Sequence, residues 1–191
     1  MTNETLYLGA NPLNTSSTAV EGDYVTRDGE SFYRIANVEG MDDFFISVVS
    51  DSNHWMFIST RGGLSAGRTD CDSALFPYCT EDKIRDNSDN TGSRTIVIAD
   101  QCGKRMLWEP LSRAHTGVYS ITRNLYKNVL GDKLVFEETN HDLGLQFTYS
   151  WSTSDRFGFV KQSTIAATRN AKSTVEILDG LENLLPYGVL A

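Results

Sequence analysis

Between Val118 and Leu178 the sequence returns to strand again and again. Runs at 118–126, 133–138, 145–151, 157–160 (extending towards Ile165) and 174–178 alternate with turn chemistry: Gly131-Asp132, Asn140-His141-Asp142 with Gly144, and the polar stretch 152–155. Leu145-Gln146-Phe147-Thr148-Tyr149-Ser150-Trp151 alternates apolar and polar almost strictly, as a strand with one buried and one wet face must. Short strands at about ten-residue spacing with turns between them predict an antiparallel sandwich or barrel. With 191 residues the chain is long enough for one domain with a sizeable core.

The first half reads the same way. Tyr24 to Arg27 and Ser31 to Ile35 flank Asp28-Gly29, the pair that takes a primed turn between two strands. Phe44-Phe45-Ile46-Ser47-Val48-Val49 and Trp55-Met56-Phe57-Ile58-Ser59 are almost continuously apolar, which predicts strands covered on both faces. Thr95 to Ala99 and Arg105 to Trp108 read as two more strands, and the polar stretch 80–94 as loop. Asp86-Asn87-Ser88-Asp89-Asn90 has the oxygens of a calcium loop, but Gly92 falls one place late, so a solvated turn is expected. Residues 179–185 carry the one helix-like pattern, closed by Pro186. The expected organisation is therefore an irregular segment 1–22, an all-β antiparallel β-sandwich over 23–178, and an apolar C-terminal segment 179–191.

The net charge of −8 argues against a nucleic-acid partner. No apolar run reaches membrane-spanning length, and the first residues lack a signal-peptide pattern, so no membrane partner is expected and the cytoplasm is the expected location. Cys71, Cys79 and Cys102 form neither a disulfide framework nor a zinc motif, and free thiols fit a reducing compartment.

The stretch from Trp55 to Tyr78 holds the densest chemistry. A strand empties into Arg61-Gly62-Gly63-Leu64-Ser65-Ala66-Gly67-Arg68, and Leu75-Phe76-Pro77-Tyr78 leaves it. Arginine presents a planar fork that suits carboxylate or phosphate. The same residues also fit a tight strand connection whose arginines pair with nearby aspartates. Gly62 to Thr69 imitates a P-loop, with Arg68 where the lysine belongs. A P-loop needs a helix straight after it, and Pro77 with no helical apolar spacing argues against one; no cofactor is expected.

Candidates for catalysis are weak. His54, His115 and His141 sit at strand or turn boundaries, and a mutarotase-like epimerase would need two of them in one cleft. Glu137 and Glu138 lie near His141 in sequence, as hairpin neighbours do. Asp42/Asp43 and Asp70/Asp72 are adjacent loop carboxylates, poorly spaced for glycoside cleavage. No serine sits in a Gly-x-Ser-x-Gly elbow. Trp55, Trp108, Trp151 and Tyr78 are candidates for a sugar-stacking platform, or for the core.

From His54 to Tyr78, the pattern Trp-x-x-x-Ser-x-x-Gly-Gly-x-Ser followed by arginine and aspartate resembles the N-terminal sandwich domain of cellobiose-phosphorylase-like proteins. The stretch Phe157-Gly158-Phe159-Val160 through Arg169-Asn170 to Asp179-Gly180-Leu181-Glu182-Asn183-Leu184-Leu185-Pro186 is similar to the later strands of that domain. The resemblance spans about residues 30–186. It implies a galactose-mutarotase-like supersandwich, incomplete here, ahead of an (α/α)6 barrel that carries the catalytic acid of a glycoside phosphorylase or hydrolase. On that basis the chain is expected to be a non-catalytic module that packs against the downstream (α/α)6 barrel, supports a homodimer and lends residues to a carbohydrate pocket. Arg61, Gly62, Gly63, Ser65 and Arg68 are the positions the resemblance brings to such a pocket, with Tyr78 beside them as a substrate-binding aromatic. A stand-alone carbohydrate-binding module is the principal alternative. Arg61 and Arg68 are expected to reach an exposed edge.

Overall fold

Asp28 and Gly29 both take positive φ, 49° and 79°, and join two seven-residue strands as the Asp-Gly pair requires. The computed structural model describes residues 5–14, 18–169, 173–186 and 189, and the backbone alone of Glu81 and Asp82. In chain order its elements begin with β1 (Tyr7–Leu8), β2 (Asn11–Pro12), β3 (Glu21–Arg27), β4 (Glu30–Ala36), β5 (Phe45–Val48), β6 (His54–Ser59), β7 (Leu64–Arg68) and β8 (Ala74–Phe76). A helix, α1 (Glu81–Asp86), leads to β9 (Gly92–Gln101), β10 (Lys104–Trp108), β11 (Ile121–Asn128), β12 (Lys133–Asn140), β13 (Leu145–Ser154), β14 (Gly158–Ala167) and β15 (Thr174–Glu182).

The fold is all-β and antiparallel, as the sequence predicts. Six strands form the sheet β14-β13-β12-β11-β4-β3, four form β5-β6-β7-β8, three form β10-β9-β15, and β1 pairs with β2. The inner face of the six-stranded sheet supplies Leu125, Leu134, Phe136, Phe147, Tyr149 and Trp151 to one apolar cluster. The four-stranded sheet meets it with Ile46, Val48, Met56, Ile58, Leu64 and Ala66, and the three-stranded sheet with Val97, Ala99 and Trp108. On β13 the alternation is kept residue by residue. Leu145, Phe147, Tyr149 and Trp151 are buried, while Gln146, Thr148, Ser150 and Ser152 line the outer face. Burying one large apolar side chain is worth about 1.5–3 kcal/mol, so these inner-face positions dominate the stability of the sandwich.

One charged group lies inside this core. Glu138, 1% exposed, accepts hydrogen bonds from Trp108 Nε1, Leu111 N and Arg123 Nε, each at 2.7 Å. A buried carboxylate survives only with such a set of donors.

Several expectations need correcting. Residues 179–182 continue β15 rather than forming a helix, because Asp179↔Thr95 through Glu182↔Gly92 extend the ladder on β9. Pairing on β9 satisfies alternate backbone groups there, whereas a two-turn helix with no sustained apolar face is not stable alone. The helix lies instead at Glu81–Asp86, inside the stretch read as loop. Beyond the short β1–β2 pair, the strands run from Glu21 to Glu182, wider than 23–178. β5 and β6 are not covered on both faces: Phe45 is 38% exposed, and Trp55 and Phe57 are half-buried. In the apolar tail, Leu185 donates its N–H to Leu75 O at 2.8 Å. Tyr187, Gly188, Leu190 and Ala191 lie outside the described residues, as do Met1 to Glu4, Thr15 to Ser17 and Asn170.

Candidate functional site

The Gly-Gly loop is the hairpin turn between β6 and β7. Gly62 N–H donates to Ser59 O at 2.9 Å, and Ser59 N–H to Gly63 O at 2.7 Å. Arg61 stands exposed at its tip. Gly63 has no room for a side chain: a Cβ would come within 2.4 Å of Ile84 O and 2.8 Å of Ser88 Cα. The glycine is needed because α1 and the turn after it lie directly against the loop. Ser65 is fully buried, where it donates to Pro77 O at 3.0 Å and accepts from Cys79 N at 3.2 Å. Gly63 and Ser65 thus hold the segment 77–90 onto the outer face of the four-stranded sheet, while a Cβ on Gly62, at a φ of +89°, would meet the Tyr149 hydroxyl at 2.9 Å.

Arg68 is exposed at the far end of β7, in register with His54. The two arginines do reach the surface as expected, but at opposite ends of one strand. Arg68 pairs with His54, so strand alternation turns it to the face opposite Trp55 and Gly67. Tyr78 is 55% exposed and meets Trp55 edge to face, with ring centroids 5.9 Å apart.

That contact is part of a longer row. Trp55 is 6.2 Å from Phe57, and Phe57 is 5.8 Å from Phe45. Four aromatic rings therefore run in sequence, Phe45-Phe57-Trp55-Tyr78, on the part of the sheet's outer face that segment 77–90 leaves open. Strand alternation explains the row. Met56 and Ile58 turn into the core, so Trp55 and Phe57 must turn out. Gly67 lies opposite Trp55, and a Cβ there would meet the indole at 2.6 Å, so the ring lies close over the bare strand. Trp55 Nε1 donates to Asp70 O at 3.2 Å, which fixes the indole. Of the four aromatics named as platform candidates, Trp108 and Trp151 are core residues, 1% and 2% exposed. Phe45 and Phe57 were read only as strand interior, and the signal that could have found them is the alternation of Ile46, Val48, Met56 and Ile58.

The outer face of the six-stranded sheet is polar. Gln146, Thr148, Ser150, Ser152, Gln162 and Thr164 line a shallow pocket of about 360 Å³. On the same face Glu137 accepts from Tyr126 Oη at 2.7 Å and Asn124 Nδ2 at 2.9 Å, and pairs with Arg27 at 3.3 Å. Burial, and then the bond to Glu137, push the Tyr126 phenol up to about 12, so it stays a neutral donor. Glu137 and Glu138 are both fully engaged by donors and neither faces a histidine. His54 bonds Ser52 Oγ and His141 bonds Thr122 Oγ1, each at 2.7 Å, and neither lines the pocket that His115 lines. Asp70 accepts from Ser73 N at 3.0 Å, and Thr60 donates to Asp43, so these loop carboxylates have structural partners. Among the described residues no three His, Cys, Asp or Glu side chains gather as a metal site would require. Among the described residues no helix is long and apolar enough to cross a membrane.

No family model and no curated protein matches this sequence.

Proposed function

We propose that the chain is a non-catalytic β-sandwich module of a carbohydrate-active protein, and that the Phe45-Phe57-Trp55-Tyr78 row is its glycan-binding face. The row itself carries this reading. Contiguous aromatics on a sheet face, exposed at Phe45 and Tyr78 and half-buried at Trp55 and Phe57, mark an interaction surface. Their negative π faces attract the weakly positive C–H faces of a pyranose, and the Tyr78 hydroxyl supplies a polar group at one end. Successive rings are tilted by 67°, 35° and 79°, so the row follows a twisted single chain rather than a flat crystalline surface.

A second surface supports the packing role. β15 is an edge strand with Ile177, Leu178 and Leu181 at 45%, 69% and 38% exposure. Open apolar edges invite cover, and a downstream helical-barrel domain of a cellobiose-phosphorylase-like parent, or a second copy of the chain, fits that need.

A fluorescence titration with soluble oligosaccharides tests the reading. Trp108 and Trp151 are sealed in the core, so a saturable change must come from Trp55 and must vanish in Trp55→Phe. No change with any of a panel of neutral β- and α-linked oligosaccharides contradicts it.

A further inference from the structure

Arg61, at the tip of the turn between β6 and β7, lines a different pocket. This cavity of about 240 Å³ opens where the turn after β6, the 3-10 turn after β4 and the loop 109–120 meet the inner side of β11 and β12. Arg61, Arg113 and Arg123 all line it, with Glu39, Thr116 and Asn124. In a chain of net charge −8, three guanidiniums around one small cavity ask for a reason.

Among the described residues, only Arg123 of the three pairs with a carboxylate. Arg123 Nε donates to the buried Glu138 at 2.7 Å, and its Nη2 donates to Ser112 O at 2.8 Å. Glu138 also takes Leu111 N–H at 2.7 Å. These bonds clamp residues 111 and 112, so Arg113 projects from an anchored loop in which Leu111 holds a φ of +67°. Non-glycine backbone in that region persists only where its surroundings impose it, often at functional sites. Arg61 sits on an equally fixed turn, with its own N–H on Ser59 Oγ at 3.2 Å. Among the described residues neither Arg61 nor Arg113 pairs with a carboxylate. Glu39 is the one acidic residue lining the cavity, and it bonds to neither of them. The Arg123–Glu138 pair is neutral as a unit. The lining therefore keeps a positive charge even with Glu39 ionised, and a larger one with Glu39 protonated.

We infer that this pocket binds a small oxyanion, a phosphate or a carboxylate, either free or as the acidic end of a larger molecule. Two guanidinium forks carried on anchored backbone match the planar or tetrahedral oxygens of such a group and bind it by paired charge-assisted hydrogen bonds. The volume is below the about 300–1,000 Å³ of pockets for drug-sized ligands, which suits a single acidic group.

Calorimetric titration of the full chain with inorganic phosphate, with malonate and with uncharged glucose tests this. Phosphate or malonate binds saturably and glucose gives no signal that depends on Arg61 or Arg113. Arg61→Gln and Arg113→Gln each weaken the anion by about tenfold or more, the loss expected for one charge-assisted contact. Arg105→Gln, which removes the exposed pair with Glu176, leaves it unchanged. Phosphate alone binding assigns a phosphoryl group and malonate alone a carboxylate. Arg61 and Arg113 are exposed and unpaired, so both variants keep the wild-type melting temperature and can be read. No saturable binding of either anion, or binding that both variants retain, overturns the proposal. No residue is shared with the aromatic row, so either reading can fail without the other.

Discussion

Trp108 donates its indole N–H to Glu138 Oε1 at 2.7 Å, with both side chains buried. This bond ties the three-stranded sheet to the six-stranded sheet through a charge rather than through apolar contact alone. Glu138 also holds Arg123 and the loop at Leu111. Removing the carboxylate strands a mostly buried guanidinium and a buried indole N–H together. Glu138→Ala is expected to cost about 3–5 kcal/mol in chemical denaturation, the range for breaking a buried ion pair by deleting one partner. A loss below about 1 kcal/mol, typical of exposed pairs, would show that the group is not the hub described.

Gly63 has the same standing for the outer face. Gly63→Ala places a methyl group 2.4 Å from Ile84 O, a backbone atom that cannot rotate aside. The expected cost is about 1–3 kcal/mol, as for other overpacked sites. Faster amide exchange in residues 83–86 is expected with it, because the helix must lift. Gly180→Ala, where a Cβ meets nothing within 4 Å, is the control and should stay within about 0.5 kcal/mol of the parent.

Stability should fall in acid partly through Asp179. Burial works to raise its pKa, but hydrogen bonds from Lys161, Thr95 and Ser163 outweigh it and hold the carboxyl below the ordinary aspartate value. The Lys161 ammonium reaches both carboxylate oxygens at 2.8 Å. A depressed folded-state pKa means that the stabilisation is complete above the unfolded value. It disappears as pH falls through the folded one. Asp179→Asn should therefore lose stability near neutral pH and show a shallower decline through the acid range. Parallel pH curves for the two proteins would contradict this.

Much of this architecture can be read from period-two patterning. β13 is legible residue by residue because each inward position is large and apolar and each outward one is polar. The Asp28-Gly29 hairpin is legible because few dipeptides adopt its turn. α1 is not, since six residues with Ile84 as their one apolar anchor carry no helical period. The aromatic row was half legible. Trp55 and Tyr78 stand out as large aromatics, but Phe45 and Phe57 read as core because an apolar run looks the same whether its second face is covered or open. The arginine pocket was least legible. Arg61, Arg113 and Arg123 come from three separate segments, and only the sheet topology brings them together.

The central claim is that the row from Phe45 to Tyr78 binds glycan. Affinity electrophoresis through gels containing a soluble polysaccharide reads it directly, with Trp55→Ala and Tyr78→Ala run beside the parent. The account predicts that the parent is retarded by at least one neutral polysaccharide and that both variants, still folded, migrate as they do in plain gels. Equal migration of all three proteins in every polysaccharide, or retardation that survives both substitutions, would contradict it.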